Sequence, residues 1–303
     1  MTRPLSLLVL TDGKPGHQNQ SLGLAEAIQR RCAARIRTLA LPGGKFSSLA
    51  RLPTPDPLPD LILGAGHRTH AGLLQLSRRT GVPCVVLMKP SLPTALFDLC
   101  LIPEHDLGSR PVAAHVIPTR GALNRLPPPA PDQRREQGLI LIGGPSNSHG
   151  WEQGKIRECL QTITRTRSEI PWKITDSRRT PAGGLEDFLA HMPDLQAFPH
   201  AQTAADWLPT ELAASREVWV TEDSVSMIYE ALSSGAGVGL LPVPAKRGPS
   251  RVSRGILRLI DDSWVTPFDR WSPGKPLPAP PAILREADRC AGIVLERFFP
   301  SRS

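Results

Sequence analysis

Short apolar runs and amphipathic stretches alternate along this chain, break once, and then alternate again, and that rhythm limits the fold more than any other feature. Residues 5–11 form an apolar run closed by Asp12-Gly13, and over 18–32 Leu22, Leu24, Ala25, Ala27 and Ile28 recur at helical spacing. The order strand, loop, helix then repeats, with strands predicted over 36–39, 60–65, 83–88 and 98–102 and a helix over 67–80. Strands that alternate with helices imply a parallel sheet. Between 126 and 137 the run Pro127-Pro128-Pro129-Ala130-Pro131 precedes a charged stretch over 132–136 that no element interior accommodates, so 127–137 reads as an interdomain linker. The alternation restarts with strands over 138–142, 171–175, 195–198, 217–220 and 237–241 and helices over 151–166, 183–191, 205–213 and 223–234. The expected architecture is α/β: two doubly wound, Rossmann-like parallel-sheet domains, 1–126 and 138–281, facing each other across a cleft. Residues 282–303 carry a last amphipathic helix expected to pack back on the N-terminal domain.

Composition sets the outer limits. At 303 residues and 40% hydrophobic content the chain can bury two ordinary cores. No run of about eighteen apolar residues occurs, and Asp12 cuts off the apolar start, which excludes a spanning helix and argues against a signal peptide. A soluble, cytoplasmic protein is expected. The five cysteines are scattered without a CxxC pair, so they read as small buried side chains and not as a zinc site or a disulfide framework. The net charge of +8 comes mainly from arginine dispersed along the chain; it favours an anionic ligand, or an acceptor at a membrane surface. Nucleic acid is not expected, because aromatics make up 5% of the chain and none are interleaved with the basic residues for stacking.

In an open parallel sheet, ligands gather at the carboxyl ends of the strands, so the strand-to-helix loops are where chemistry should lie. The first loop carries Gly13, Lys14, Gly16 and His17; it is neither a Walker loop nor GxGxxG, and His17 could serve as a general base or cap the next helix. Gly66, His67, Thr69 and His70 follow the strand at 60–65, where the first amides of a helix suit a phosphate or sugar better than the two histidines suit a metal. Glu104, His105 and Asp106 group two carboxylates around a histidine, readable as a proton-transfer group or as a solvated turn. In the second half, Gly143, Gly144 and Ser146 form a glycine turn with a hydroxyl, a nest suited to anions. Thr175, Ser177, Arg178 and Arg179 place two arginines at a strand end, able to clamp phosphate or to pair with Asp176 and Glu186. Glu222, Asp223, Ser224 and Ser226 surround the start of a helix whose amides would face a ligand, and Glu230 lies about two turns along, where a carboxylate can accept from both ribose hydroxyls or merely be solvated.

Taken in order, TDGKPGHQNQ, GAGHRTH, IPEHD, GGPSNSHG, TDSRRTP and TEDSVSMIYEALSSG resemble the mitochondrial-fission ELM-like family, whose bacterial members are grouped with glycosyltransferases. The resemblance runs over most of the chain. More distantly, the pattern is similar to GT-B glycosyltransferases such as the peptidoglycan enzyme MurG. That comparison implies a GT-B fold and metal-independent transfer from a nucleotide-diphosphate sugar, with no cofactor beyond this co-substrate. It places Gly13, Gly16 and His17 near the acceptor, Gly143, Gly144 and Ser146 at the diphosphate, Ser224 at a phosphate-facing helix start and Glu230 at ribose. Lys14-Pro15 departs from the nearly all-glycine loop of that enzyme. His17 or His105 would be the base. The plant fission protein of the same family recruits a dynamin-related partner, so a non-catalytic interaction protein is an alternative; a sugar-nucleotide epimerase using Glu104 or Asp106 as acid and base is another.

Overall fold

A computed structural model describes residues 3–42, 52–107, 111–130, 132–204, 206–246 and 251–302, without the side chains of 251–253. The chain divides into two compact units, one formed by Met1–Arg125 with Arg285–Ser303 and the other by Leu126–Leu284.

In the first unit, β1 (Leu5–Thr11), β2 (Ala34–Ala40), β3 (Leu61–Ala65), β4 (Cys84–Leu87), β5 (Leu99–Pro103) and β6 (Val116–Thr119) form one parallel sheet in the order β2-β1-β3-β4-β5-β6. Strands β3, β4 and β5 are buried along their whole length, as expected of strands covered on both faces. One face is covered by α1 (Pro15–Arg31) and by α8 (Glu286–Phe298), with Leu24, Ala25 and Ile28 packed in one cluster with Cys290, Ala291 and Val294. On the other face Leu73 and Leu76 of α2 (His70–Thr80) join Ile62, Val86 and Phe97.

The second unit repeats the plan. Its strands are β7 (Gln137–Leu141), β8 (Trp172–Thr175), β9 (Gln196–Ala197), β10 (Ser215–Thr221), β11 (Gly237–Leu241) and β12 (Thr266–Pro267), all parallel, in the order β12-β11-β10-β7-β8-β9. Its helices are α3 (Gln153–Thr166), α4 (Gly184–His191), α5 (Trp207–Ala214), α6 (Val225–Ser234) and α7 (Arg251–Asp261). Ile156, Leu160 and Ile163 of α3 and Phe188 of α4 pack with Trp172 and the fully buried Trp219 of β10. The pair Arg167 and Glu217, both buried, ties the end of α3 to β10 at 2.5 Å.

Both sheets are thus doubly wound, and each reverses its strand order at one place. The reversal falls between β1 and β3 in the first sheet and between β7 and β10 in the second. At such a point the loops leave toward opposite faces and open a crevice at the carboxyl ends of the strands, which is where ligands bind in this architecture.

Several boundaries differ from those the sequence predicts. Helix α1 opens at Pro15, three residues early, because proline's fixed φ and missing N–H suit the first helical position. His17 therefore sits in the helix's first turn. A 3₁₀ turn, His67–Thr69, precedes α2, so His67 is exposed while His70 is buried. Helix α8 starts at Glu286, after the prolines at 280 and 281, and not at 282. The helix expected over 205–213 begins at Trp207; residue 205 lies outside the described residues. Among the described residues no helix is long and apolar enough to cross a membrane. All five cysteines are free, and burial pushes the thiols of Cys84 and Cys159 up to about 11 and those of Cys100 and Cys290 up to about 12.

Candidate functional site

In the first unit the crevice at the β1/β3 reversal is lined by the loop after each strand. Asp12 leaves the end of β1 with its carboxylate fully buried; Oδ1 accepts the Lys14 N–H at 3.1 Å and Oδ2 lies 3.0 Å from Nδ1 of His17. Burial alone would raise Asp12, but the Lys14 amide and the His17 ring outweigh it, and the carboxyl lies below its ordinary range. An ionised Asp12 fixes the proton of His17 on Nδ1, which leaves the lone pair on Nε2. The loop after β3 supplies the other wall. Gly66 has φ of 87°, and a Cβ there would stand 2.2 Å from the His17 ring, so only glycine lets the β3 loop pass so close. The Gly66 carbonyl accepts the Thr69 N–H at 3.0 Å and its hydroxyl at 2.8 Å, which holds the turn. Gly13, Lys14 and Gly16 are exposed on the outer side of the loop.

The other candidates of this unit lie on neighbouring strand ends. Glu104, His105 and Asp106 form a 3₁₀ turn after β5, with Glu104 exposed and His105 3.9 Å from the Asp106 carboxylate. Lys89 donates to the Asp106 carbonyl at 2.9 Å. His70 faces inward, 3.1 Å from the Ser91 hydroxyl and edge-on to Phe97, and burial pushes it down to about 4. Among the described residues no group of three metal-ligating side chains converges.

In the second unit the β7/β10 reversal draws three loops together. Gly143 N–H donates to the Thr221 hydroxyl at 2.7 Å, and Gly144 N–H to Asp223 Oδ2 at 3.0 Å. Arg179, from the loop after β8, bonds the same Oδ2 at 2.7 Å and the Gly144 carbonyl at 2.6 Å. Thr180 donates to the Gly143 carbonyl at 2.6 Å. The two glycines are demanded by this closeness: a Cβ on Gly143 would stand 2.3 Å from the Asp223 carboxylate, and one on Gly144 1.9 Å from the Arg179 carbonyl. Of the two adjacent arginines, Arg179 is therefore held by the buried Asp223. Arg178 is exposed, with no hydrogen-bond or ion-pair partner among the described residues.

Beside this knot lies a recess of about 460 Å³. Its near wall is the strand end Thr175, Asp176 and Ser177 with Arg178; its far wall is Trp207, Met227 and the start of α6 at Ser224 and Ser226. Ser224 is buried at the N-cap position, so the free amides of the first turn of α6 begin at this wall. Asp176 pairs with neither arginine: its Oδ1 accepts the His200 backbone N–H at 2.7 Å and lies 2.9 Å from His200 Nδ1.

The structure thus brings Thr175, Ser177, Arg178, Arg179, Ser224 and Ser226 to one recess and separates three other candidates from it. Glu222 points to a different hollow with Lys155 and Asp269, its carboxyl raised by burial. Ser146 closes its own turn by accepting the His149 N–H at 3.0 Å. Glu230 lies further along α6 and outside the recess lining; it is partly exposed, yet its carboxyl is enclosed enough to be pushed up to about 7. The sequence does not mark Asp12, His200 or Trp207 as site residues, and it offers Asp176 only as an ion-pair partner for the arginines. Asp12 and Asp176 had a usable signal, since each is the first residue beyond a strand, but His200 and Trp207 reach the recess only through the fold.

The raised Glu230 has a measurable consequence. Between its ordinary value of 4.5 and about 7 the unfolded chain is ionised while the folded carboxyl keeps its proton, so folding stability is full below 4.5 and falls as pH rises through 7. Glu230→Gln should therefore match the wild type near pH 4 and be more stable at pH 8 by about 1–3 kcal/mol, as melting curves at the two pH values would show.

Comparison with known proteins places the fold and the family. The chain is similar to a structure from Listeria monocytogenes assigned as a UDP-N-acetylglucosamine 2-epimerase (TM-score 0.58, 12% identity, 97% of this chain and 95% of that one). It is similar also to AviGT4, a glycosyltransferase involved in avilamycin A biosynthesis (0.52, 12%, 99% and 98%), and to the UDP-GlcNAc 2-epimerase of Methanocaldococcus jannaschii (0.50, 10%, 97% and 100%). These likenesses show the fold, two Rossmann-like units of the GT-B type. In sequence, a protein of Rickettsia prowazekii (strain Madrid E) is 22% identical over 295 residues, covering 76% of this chain and 81% of its own length. The profile of one family, described as mitochondrial fission ELM1, matches residues 15–298, and the chain belongs to that family.

Proposed function

We propose that the protein is a glycosyltransferase that takes its sugar from a nucleotide-diphosphate donor and needs no metal or other cofactor. One observation carries this reading: His17 rests by Nδ1 on the buried, ionised Asp12 at the β1/β3 reversal, which leaves Nε2 to take a proton. Transfer requires an acceptor hydroxyl to lose its proton as it attacks the anomeric carbon, and a base so held is suited to that step. The leaving diphosphate carries away the electrons of the broken bond and needs positive charge to receive it. Arg178 and the first amides of α6 at Ser224 are the groups suited to that charge, and Ser177 and Ser226 add hydroxyl donors in the same recess. The GT-B fold is shared with a protein named as a glycosyltransferase and with one named as a UDP-GlcNAc 2-epimerase, which agrees with the proposal.

Calorimetry against a panel of nucleotide diphosphates, with chelator present, is expected to show binding of at least one. Silence across the panel from folded protein would sink the reading. Incubation with the corresponding sugar nucleotide and no acceptor should leave the sugar's stereochemistry unchanged; a new epimer would mark an epimerase.

A further inference from the structure

The recess beside α6 also carries a feature that bears on which base the donor contains. Asp176 is the first residue beyond β8, and its side chain is mostly buried. Its Oδ1 is engaged twice by His200, through the backbone N–H at 2.7 Å and through Nδ1 at 2.9 Å. His200 thereby fixes the orientation of the carboxylate on its strand end. Oδ2 has no partner among the described residues, and Asp176 lines the recess. The indole of Trp207, steadied by Phe198 at a ring separation of 5.1 Å, lines the same recess. A flat apolar wall and an anchored carboxylate in one recess are the parts a base-reading pocket requires.

We infer that Asp176 reads the base of the donor and selects guanine over uracil, with Trp207 as the stacking wall. The inference rests on the proposed donor site. The chemistry is that of hydrogen-bond sign. An ionised carboxylate only accepts, so the edge it meets must donate. Guanine offers N1–H beside the N2 amino group, two adjacent donors that the two lone pairs of the open Oδ2 accept together while Oδ1 stays with His200. Uracil offers a single N3–H flanked by two carbonyl oxygens, whose lone pairs would face the carboxylate. A site built to bond a donor group rejects the analogue lacking it strongly, because its own polar atom is then left unpaired. Stacking on the indole, in contrast, helps every base about equally.

The test is calorimetry of GDP and UDP with wild-type protein and with Asp176→Asn and Trp207→Ala, each variant checked for a wild-type melting profile. The wild type should bind GDP at least about tenfold more tightly than UDP, the low end of the discrimination that paired base-edge hydrogen bonds give. In Asp176→Asn the amide keeps an oxygen for His200 and gains a donor, so the GDP preference should collapse. Trp207→Ala should weaken both ligands by a similar factor and leave their ratio unchanged. Binding of UDP as tight as GDP by the wild type overturns the inference and leaves the donor site standing. An unchanged ratio in Asp176→Asn overturns it equally. Failure to bind either diphosphate, or any other, removes the donor site and this inference with it.

Discussion

Replacing His17 with alanine is expected to lower the turnover of sugar transfer by about 10²–10⁴-fold, the usual worth of a positioned general base, while nucleotide-diphosphate binding stays within about twofold. The separation follows from where the groups lie, with His17 on α1 of the first unit and the residues proposed to bind the donor at the strand ends of the second. Asp12→Asn should reproduce much of the loss, because an amide can donate to Nδ1 and so turn the ring to the tautomer whose Nε2 carries the proton. The double variant should be no worse than His17→Ala alone, since the two residues act as a unit. Steady-state kinetics on the four proteins, paired with calorimetry, decides the matter. Turnover of His17→Ala within threefold of wild type would remove His17 from the chemistry.

Gly144→Ala is expected to be the most damaging small substitution in the second unit. The new methyl would stand 1.9 Å from the Arg179 carbonyl, a backbone atom that no side-chain rotation can move. Relief requires the β7 loop to part from the β8 loop, which breaks the Arg179 to Gly144 bond and loosens both groups held by Asp223 Oδ2. Overpacking costs about 1–3 kcal/mol, and each lost hydrogen bond about 1 kcal/mol more. For a unit of this size the melting temperature should fall by roughly 5–12 °C, with donor binding weakened as well. Gly16→Ala makes a control: a Cβ there has nothing within 4 Å, and the residue is exposed. Equal melting temperatures for Gly144→Ala and wild type would show that the loops are not joined as described.

The alternation of strands and helices was legible because parallel strands buried on both faces read as continuous apolar runs, of which Leu61–Ala65 and Gly237–Leu241 are plain cases. Two edge strands were missed. Val116–Thr119 has four residues, one of them proline, and Thr266–Pro267 has two; edge strands need neither length nor an unbroken ladder, so they leave little pattern to read. At the candidate site the sequence indicated which loops matter, since their glycines and polar residues cluster at strand ends. It could not assign partners. Arg178 and Arg179 are neighbours of one type, and only the fold turns the second into Asp223 and leaves the first exposed. The glycines at 143 and 144 suggested a nest for an anion, whereas their smallness is required by a carboxylate and a carbonyl of the protein itself. Asp12 and His17 stand five residues apart, a spacing that becomes a contact only because Pro15 starts the helix between them.

Helix α8 has a consequence for the order of events in synthesis. Cys290, Ala291, Val294 and Leu295 complete the same core as Leu24, Ala25 and Ile28 of α1, although the whole of Leu126–Leu284 separates them along the chain. At ordinary elongation rates that intervening stretch occupies the ribosome for on the order of ten seconds. Throughout that interval the earlier-made sheet has α1 but not its companion, and a strip of apolar surface lacks its native cover. The later-made unit is contiguous and has no such wait. Native structure in this chain is thus completed last in the part that was made first, and whatever shields α1 in the meantime, whether a chaperone or a transient collapse of its own side chains, is a passenger of translation and leaves no trace in the finished fold.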